Sequence, residues 1–192
     1  MGVREQNKAH TRATLANVAV RLFTERGYDN VTMADVADES GVSRRTAFRY
    51  FSSKDDLVMY HPAEWLAVFD ESLEVHHDRP LVDRLSMAAH AVADRIEENP
   101  VAVRQLFGLA FVHPSLAGRY AVSSRLWIER ITIDIHRDVA DEDDARMLAA
   151  ALMGVINTVG ETWAASQQPM GPLLERGMNL ITPSVAAGIQ PL

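Results

Sequence analysis

The sequence predicts an all-α fold in two parts, a bundle of short helices at the N-terminus and a larger bundle of longer helices after it. Three observations carry this. Apolar residues recur at helical spacing, and no stretch shows the strict alternation of a half-buried strand. Pro80, Pro100, Pro114 and Pro172 stand where helices would begin, a position at which proline removes no hydrogen bond that would otherwise form. Ser, Thr and Asp punctuate the first 60 residues closely enough to cap a series of short helices.

Taken in order, the first helix runs from about residue 5 to Arg26, with Leu15, Val18, Ala19, Leu22 and Phe23 as its apolar stripe. Gly27 ends it. Thr32 caps a second, short helix, with Asp35 three residues on, and that helix ends near Ser40-Gly41. Ser43 caps a third over residues 44–51. Ser53 caps a fourth, and Asp55 and Asp56 lie in its first turn, where the helix dipole favours acids. The spacing predicts helices at about 54–78, 80–98, 100–111, 114–140, 143–167 and 172–181, the run "DEDD" at 141–144 opening the penultimate one. The segment "ITPSVAAGIQPL" reads as either a frayed helix or coil.

Charge divides the chain in the same place. Residues 1–60 hold nine Lys/Arg against eight Asp/Glu, and residues 61–192 hold ten Arg and no Lys against eighteen Asp/Glu, within a formal net charge of −7. The second part would repel a polyanion; the first would not. The length of 192 residues suits one domain or two small ones. Cysteine is absent, which excludes disulfides, thiol nucleophiles and cysteine zinc sites. No apolar run approaches the roughly 18 residues of a membrane span, and the N-terminus lacks the pattern of a signal peptide, so the expectation is a cytoplasmic protein with no membrane partner.

Residues 32–51 form a helix-turn-helix by pattern. Gly41 supplies the left-handed turn, Ala37 permits close approach, and Val36, Val42, Ala47 and Tyr50 fall on the inner face. The second helix of such a unit enters the DNA major groove through its N-terminal residues, here Ser43, Arg44, Arg45 and Thr46. Arginine can donate two parallel hydrogen bonds to guanine O6 and N7. Arg49 adds a third positive charge to the stretch. Thr46 and Tyr50 carry hydroxyls able to reach phosphates, and Thr32 and Lys54 stand at helix starts, where free N–H groups favour an anion. The simpler reading, a solvated basic face, would not demand the turn, the caps and the inner-face pattern together.

The segment "TLANVAVRLFTERGYDNVTMADVADESGVSRRTAFRYFSSKDDLV" resembles the N-terminal domain of TetR-family transcriptional regulators over roughly residues 12–58, with "LFTERGYDNVTMADVADESGVS" and "YFSSKDDL" following the family pattern almost throughout. The resemblance implies a DNA-binding domain over 1–53 and a helical-bundle domain over 54–192 that binds a ligand and dimerises. It implies a repressor, released from a palindromic operator by a small, mostly apolar effector, with no cofactor and no enzymatic activity. Carried over by position, Arg44, Arg45 and Thr46 would face bases or nearby phosphates, and Thr32, Tyr50 and Lys54 would hold the backbone. Two positions depart from the family. Phe48 stands where tyrosine is common, which removes a hydroxyl and leaves apolar contact with a thymine methyl, and Ala47 stands where a larger aliphatic is usual.

In the second part, Trp65, Phe69, Phe107, Phe111, Trp127 and Trp163 are either core or the lining of the cavity the family implies, and His90 is either a polar group of that cavity or an ordinary histidine. Arg104, Gln105, Arg119 and Arg125 are solvated or meet an acidic ligand. The stretch "SLAGRYAVSSRLWIERITIDIHRDVADEDDARMLAAALMGVINTVGETW" is similar to the C-terminal domain of a subgroup of these regulators, some of which respond to acyl-CoA-like ligands. Ala149, Ala150, Ala151, Gly154 and Gly160 fit either a core helix or a homodimer interface, expected over about residues 143–181. The rival reading is a helical small-molecule-binding protein or enzyme with no DNA-binding role. Against the enzyme, the chain has no phosphate-binding glycine loop, no G-x-S-x-G and no H-E-x-x-H, and the adjacent His76 and His77 point apart on a helix.

Overall fold

The computed structural model describes residues 2–188, and among them every regular element is helical. Ten α-helices follow in order: α1 (Val3–Arg26), α2 (Met33–Glu39), α3 (Arg44–Tyr50), α4 (Lys54–Val58), α5 (Tyr60–Val75), α6 (Leu81–Glu97), α7 (Pro100–Val112), α8 (Pro114–Ile135), α9 (Glu142–Ala164) and α10 (Met170–Gly188), with one 3-10 turn at Tyr28–Asn30 after α1. Among the described residues no helix is long and apolar enough to cross a membrane.

The chain forms two compact units. One holds the residues through Ala63 together with Val101–Tyr120, and the other holds Glu64–Pro100 together with the residues from Ala121 onward. Long-range pairing joins the two stretches of the first unit. The His113 ring stacks on Tyr28 at 4.4 Å between centroids, and Arg119 binds Asp55 at 3.2 Å and Asp56 at 2.5 Å. These contacts tie the end of α7 and the start of α8 to the elements around α4.

The first unit is built on the α1 stripe. Leu15, Ala16, Ala19, Leu22 and Phe23 are all buried, and Val36, Ala37, Ala47, Phe51 and Leu57 pack into the same core. Gly27 ends α1 at φ 83°, a conformation open to glycine. The fourth helix, expected to run unbroken over 54–78, stops at Val58 and restarts as α5 at Tyr60. Pro62 explains the break: it has no N–H to give the Val58 carbonyl, and its ring crowds that carbonyl.

The second unit packs α6, α9, α10 and the later parts of α5 and α8 around Phe69, Leu73, Leu85, Ile131, Leu152 and Trp163. A buried ion cluster crosses it. Arg84 on α6 is 3% exposed and donates from Nε to Asp134 Oδ2 at 2.8 Å, from one Nη to the Asp134 carbonyl at 3.1 Å and from the other to the Arg79 carbonyl at 3.2 Å, and it also pairs with Asp138. Helix α8 ends at Ile135, short of the expected 140, whereas α10 runs past the expected 181 and through Pro183. Thr182 caps the turn before that proline by donating to the Met178 carbonyl at 2.8 Å. Asp141 opens α9 by accepting from the Asp144 amide at 2.9 Å, as the acidic run predicts.

Candidate nucleic-acid interface

One reciprocal cap, one simple cap and a glycine turn hold the helix-turn-helix. Thr32 caps α2: its hydroxyl accepts from the Asp35 amide at 3.2 Å, while the Asp35 carboxylate accepts from the Thr32 amide at 2.8 Å and from the Thr32 hydroxyl at 2.6 Å. Hydrogen bonds from the Thr32 side chain and backbone hold the Asp35 carboxyl below the usual carboxylate range. Gly41 turns the chain at φ 67°, and the Val42 amide donates to the Ala37 carbonyl at 3.1 Å. Ser43 then caps α3, accepting from the Thr46 amide at 3.1 Å, its hydroxyl 2.8 Å from that of Thr46.

This frame sorts α3 into two faces. Ala47 is buried against the unit's core, and Arg44, Arg45, Phe48 and Arg49 are exposed. Thr46 and Tyr50 are half-buried. The Arg44 guanidinium lies 3.6 Å from Asp38, with both side chains about two-thirds exposed (67% and 66%), so the pair is weak and opens readily to a competing anion. Arg49 lies over the Tyr50 ring at 5.0 Å. Phe48 is 54% exposed, an aromatic ring presented to solvent on the same face as the arginines. The arrangement offers bidentate donors at the N-terminal end of a short helix and an apolar edge one turn on, a geometry suited to the base edges of a major groove.

Lys54, expected to hold phosphate, stands at the start of α4 beside Tyr28. Its ammonium donates to the Tyr28 carbonyl at 2.8 Å and lies over the Tyr28 ring at 4.1 Å. The Tyr28 hydroxyl donates to Asp55, and burial, then that hydrogen bond, pushes the phenol's pKa up, so it stays a donor. Arg119, read as solvated or ligand-facing, instead neutralises Asp55 and Asp56. Arg12 on α1 escaped notice in the sequence. It lies over the Phe51 ring at 5.5 Å and over the Tyr60 ring at 5.6 Å, and its only signal was a basic residue on a helix that also carries the core stripe.

The residues expected around a ligand fall into both units. Phe107 lies in the first and Trp65, Phe69, His90, Trp127 and Trp163 in the second. The Phe111 side chain lies outside the described residues. Phe69 and Trp127 meet at 5.3 Å. Trp163 is fully buried and donates from its indole to Glu97 at 2.9 Å, and the Met170 amide donates to the same carboxylate at 2.8 Å. The His90 ring nitrogen lies 2.8 Å from the Ser86 carbonyl of its own helix. His76 and His77 are likewise bound to backbone carbonyls, of Ser72 at 2.8 Å and Glu74 at 2.9 Å. Within the second unit, a void of about 10 Å³, lined by Val82, Leu85, Leu152, Met178, Ile181 and Thr182, has room for about one water.

Residues 15–60 match the family model described as "Bacterial regulatory proteins, tetR family". The chain is 27% identical over 165 residues to the HTH-type transcriptional activator FasR of Mycolicibacterium smegmatis, covering 83% of this chain and 74% of that protein. Among solved structures it is similar to FadR of Thermus thermophilus, a TetR-family repressor in complex with lauroyl-CoA, with a TM-score of 0.59 and 20% identity over 89% of this chain and 93% of that one. It is also similar to the fatty acid degradation regulator FadR of Bacillus halodurans, with a TM-score of 0.69 and 13% identity over 89% and 94%. At these identities the solved structures establish the fold.

Proposed function

Because the chain belongs to the TetR family of bacterial regulatory proteins and is a DNA-binding transcriptional regulator, we propose that it binds a palindromic operator as a homodimer and releases it when a small, mostly apolar molecule binds. The observation that carries the reading is the exposed pair Arg44 and Arg45 at the start of a helix whose cap, turn and buried face are all in place. In this reading Ser43, Arg44, Arg45, Thr46 and Phe48 address base edges and nearby phosphates, while Thr32, Arg49 and Tyr50 hold the backbone. Two-fold pairing doubles the contacts and fixes half-sites about 34–36 Å apart, or multiples of that.

The dimer face is read from α9 and α10. Met147, Ala151, Gly154 and Thr158 are exposed at helical spacing on α9. A groove of about 640 Å³ follows, lined by Ala151, Gly154, Val155, Thr158, Leu173 and Leu180 among others, and Leu180 is 75% exposed. Small residues beside exposed apolar ones suit the close approach of a second copy.

The effector class rests on the apolar interior of the second unit and on the likeness to a regulator solved with lauroyl-CoA. The reading concerns DNA occupancy and holds whether the bound protein represses or, as the M. smegmatis relative is named, activates. Ligand and DNA must be coupled reciprocally: if the ligand weakens DNA binding, operator DNA weakens ligand binding by the same factor, typically about 1–3 kcal/mol. The test is titration of lauroyl-CoA and shorter acyl compounds into the protein, free and saturated with DNA selected from genomic fragments. Equal affinity in the two states would remove that compound as the effector. A protein that enriches no fragment would remove operator binding itself.

A further inference from the structure

We propose that Arg12, on the first helix, is a phosphate-binding residue that grips the DNA backbone beside the recognition helix. Arg12 is exposed, and its guanidinium lies against two aromatic rings, Phe51 at the end of α3 at 5.5 Å and Tyr60 at the start of α5 at 5.6 Å. Among the described residues Arg12 makes no ion pair or hydrogen bond. Arg21, on the same helix, pairs with Glu25 and Glu39, and Arg119 pairs with Asp55 and Asp56. A guanidinium resting on two rings is modestly biased toward this position and keeps its fork of N–H donors for a ligand. Planar, bidentate donation is what a phosphate accepts best.

Its position adds the second argument. A groove of about 420 Å³ in the first unit is lined by Arg12 together with Phe48, Arg49, Tyr50 and Ser52, among others. Arg12 thus shares a concave surface with the C-terminal half of the recognition helix, next to the second ring-stacked arginine, Arg49. Asp56 also lies on the groove wall. Arg119 at 2.5 Å offsets its charge, and hydrogen bonds from Ser52 and from the Ser53 amide occupy its other lone pairs. Two guanidiniums, each against at least one aromatic ring, and the Tyr50 phenol thus share one groove beside α3, where an anion would meet several donors.

The proposal rests on the DNA-binding reading, and the experiment separates the two. A phosphate contact is independent of sequence, so the probe is a labelled random-sequence duplex of about 30 base pairs. Its affinity is measured by anisotropy between about 50 and 200 mM salt. Each phosphate neutralised contributes about −0.9 to the slope of log K against log salt, so a fourfold rise in salt costs about 3.5-fold in affinity per contact. Arg12→Met keeps a long side chain against the rings and removes the charge. We expect its slope to fall by about 0.9 per protomer bound, with weaker binding at 50 mM salt. Arg21→Met, nine residues away and so about two and a half turns round the same helix, should keep the wild-type slope. If Arg12→Met fails to reach the wild-type circular dichroism spectrum, Arg12→Gln, planar and polar, gives the same reading. A wild-type slope in the uncharged Arg12 variant overturns the assignment and leaves Arg12 as a packing residue. An equal loss in Arg21→Met overturns it in favour of general charge. A wild-type protein that does not bind the duplex at 50 mM salt overturns the DNA reading and this one together.

Discussion

Replacing Arg84 with methionine tests the account of the second unit most directly. The guanidinium is 3% exposed and Asp134 is fully buried, so neither charge can turn to solvent when its partner is lost. Arg84→Met removes the 2.8 Å bond to the Asp134 carboxylate and the donors to the Asp134 and Arg79 carbonyls, and frees Asp138. Breaking a buried pair from one side costs about 3–5 kcal/mol because the remaining charge is uncompensated. Arg137 keeps a 3.3 Å contact with the other Asp134 oxygen but is half exposed, so it offsets little, and the expected loss is about 3 kcal/mol. For a chain of this size that lowers Tm by about 6–12 °C.

Urea unfolding followed by tryptophan fluorescence reads the loss locally, since Trp65, Trp127 and Trp163 all belong to the second unit. The midpoint should fall with the m-value unchanged. Arg84→Met combined with Asp134→Leu should recover much of the loss, because the orphaned carboxylate is then gone. A loss below about 1 kcal/mol for Arg84→Met alone, the scale of an exposed pair, would show that water or a rearranged Arg137 satisfies Asp134 and that the cluster is not a buried one.

Three further outcomes follow from named contacts. Lys54→Ala should destabilise the first unit by about 1–2 kcal/mol through loss of the Tyr28 carbonyl bond and the ring contact; unchanged stability with a lower salt slope on DNA would return Lys54 to the phosphate role. Gly177→Ala would place a Cβ 2.7 Å from Val155 Cγ1 and 3.0 Å from Val159 Cγ2, and stiff β-branched neighbours give way poorly, so overpacking of about 1–3 kcal/mol should outweigh the helix-propensity gain of up to about 1 kcal/mol, read in the same urea curves. Asp35 and Asp56 both have lowered pKa values in the folded chain; for Asp56 burial opposes the shift, and hydrogen bonds from Ser52, Arg119 and Ser53 outweigh it. A depressed carboxylate stabilises above its unfolded pKa and loses that as pH falls through the folded one, so far-UV circular dichroism should hold to about pH 4 and decline below it, and Asp56→Asn should flatten the decline.

The features legible in the sequence share one property: their partners lie within a few residues. The caps at Thr32, Ser43, Ser53 and Asp141 bond to amides three residues on, and the turns at Gly27 and Gly41 are set by backbone geometry at one position. Pro62 was equally local, and the α4–α5 break it causes could have been read from the missing N–H alone. The features that were not legible pair across long separations. Tyr28 meets Asp55 and His113, Arg119 meets Asp55 and Asp56, and Arg84 meets Asp134, and nothing in composition or spacing links those positions. Arg84 alone left a trace, standing three residues after Leu81 and four before Ala88 in the buried stripe of α6, where a solvated arginine would not fall.

The same distinction bears on how an acidic chain meets DNA. Counting charges placed the basic residues near α3 correctly but could not say which of them were spent. Lys54 is spent on Tyr28 and Arg119 on two aspartates, whereas Arg12, Arg44, Arg45 and Arg49 stand exposed on the first unit. What a polyanion meets there is set by the cations left unspent after the fold has paired the others. Among the described residues, the positive charge left exposed beside the recognition helix is that of the α3 arginines and of Arg12, which shares a groove with them. The salt dependence of DNA binding should therefore follow Arg12 and Arg49 more closely than Lys54.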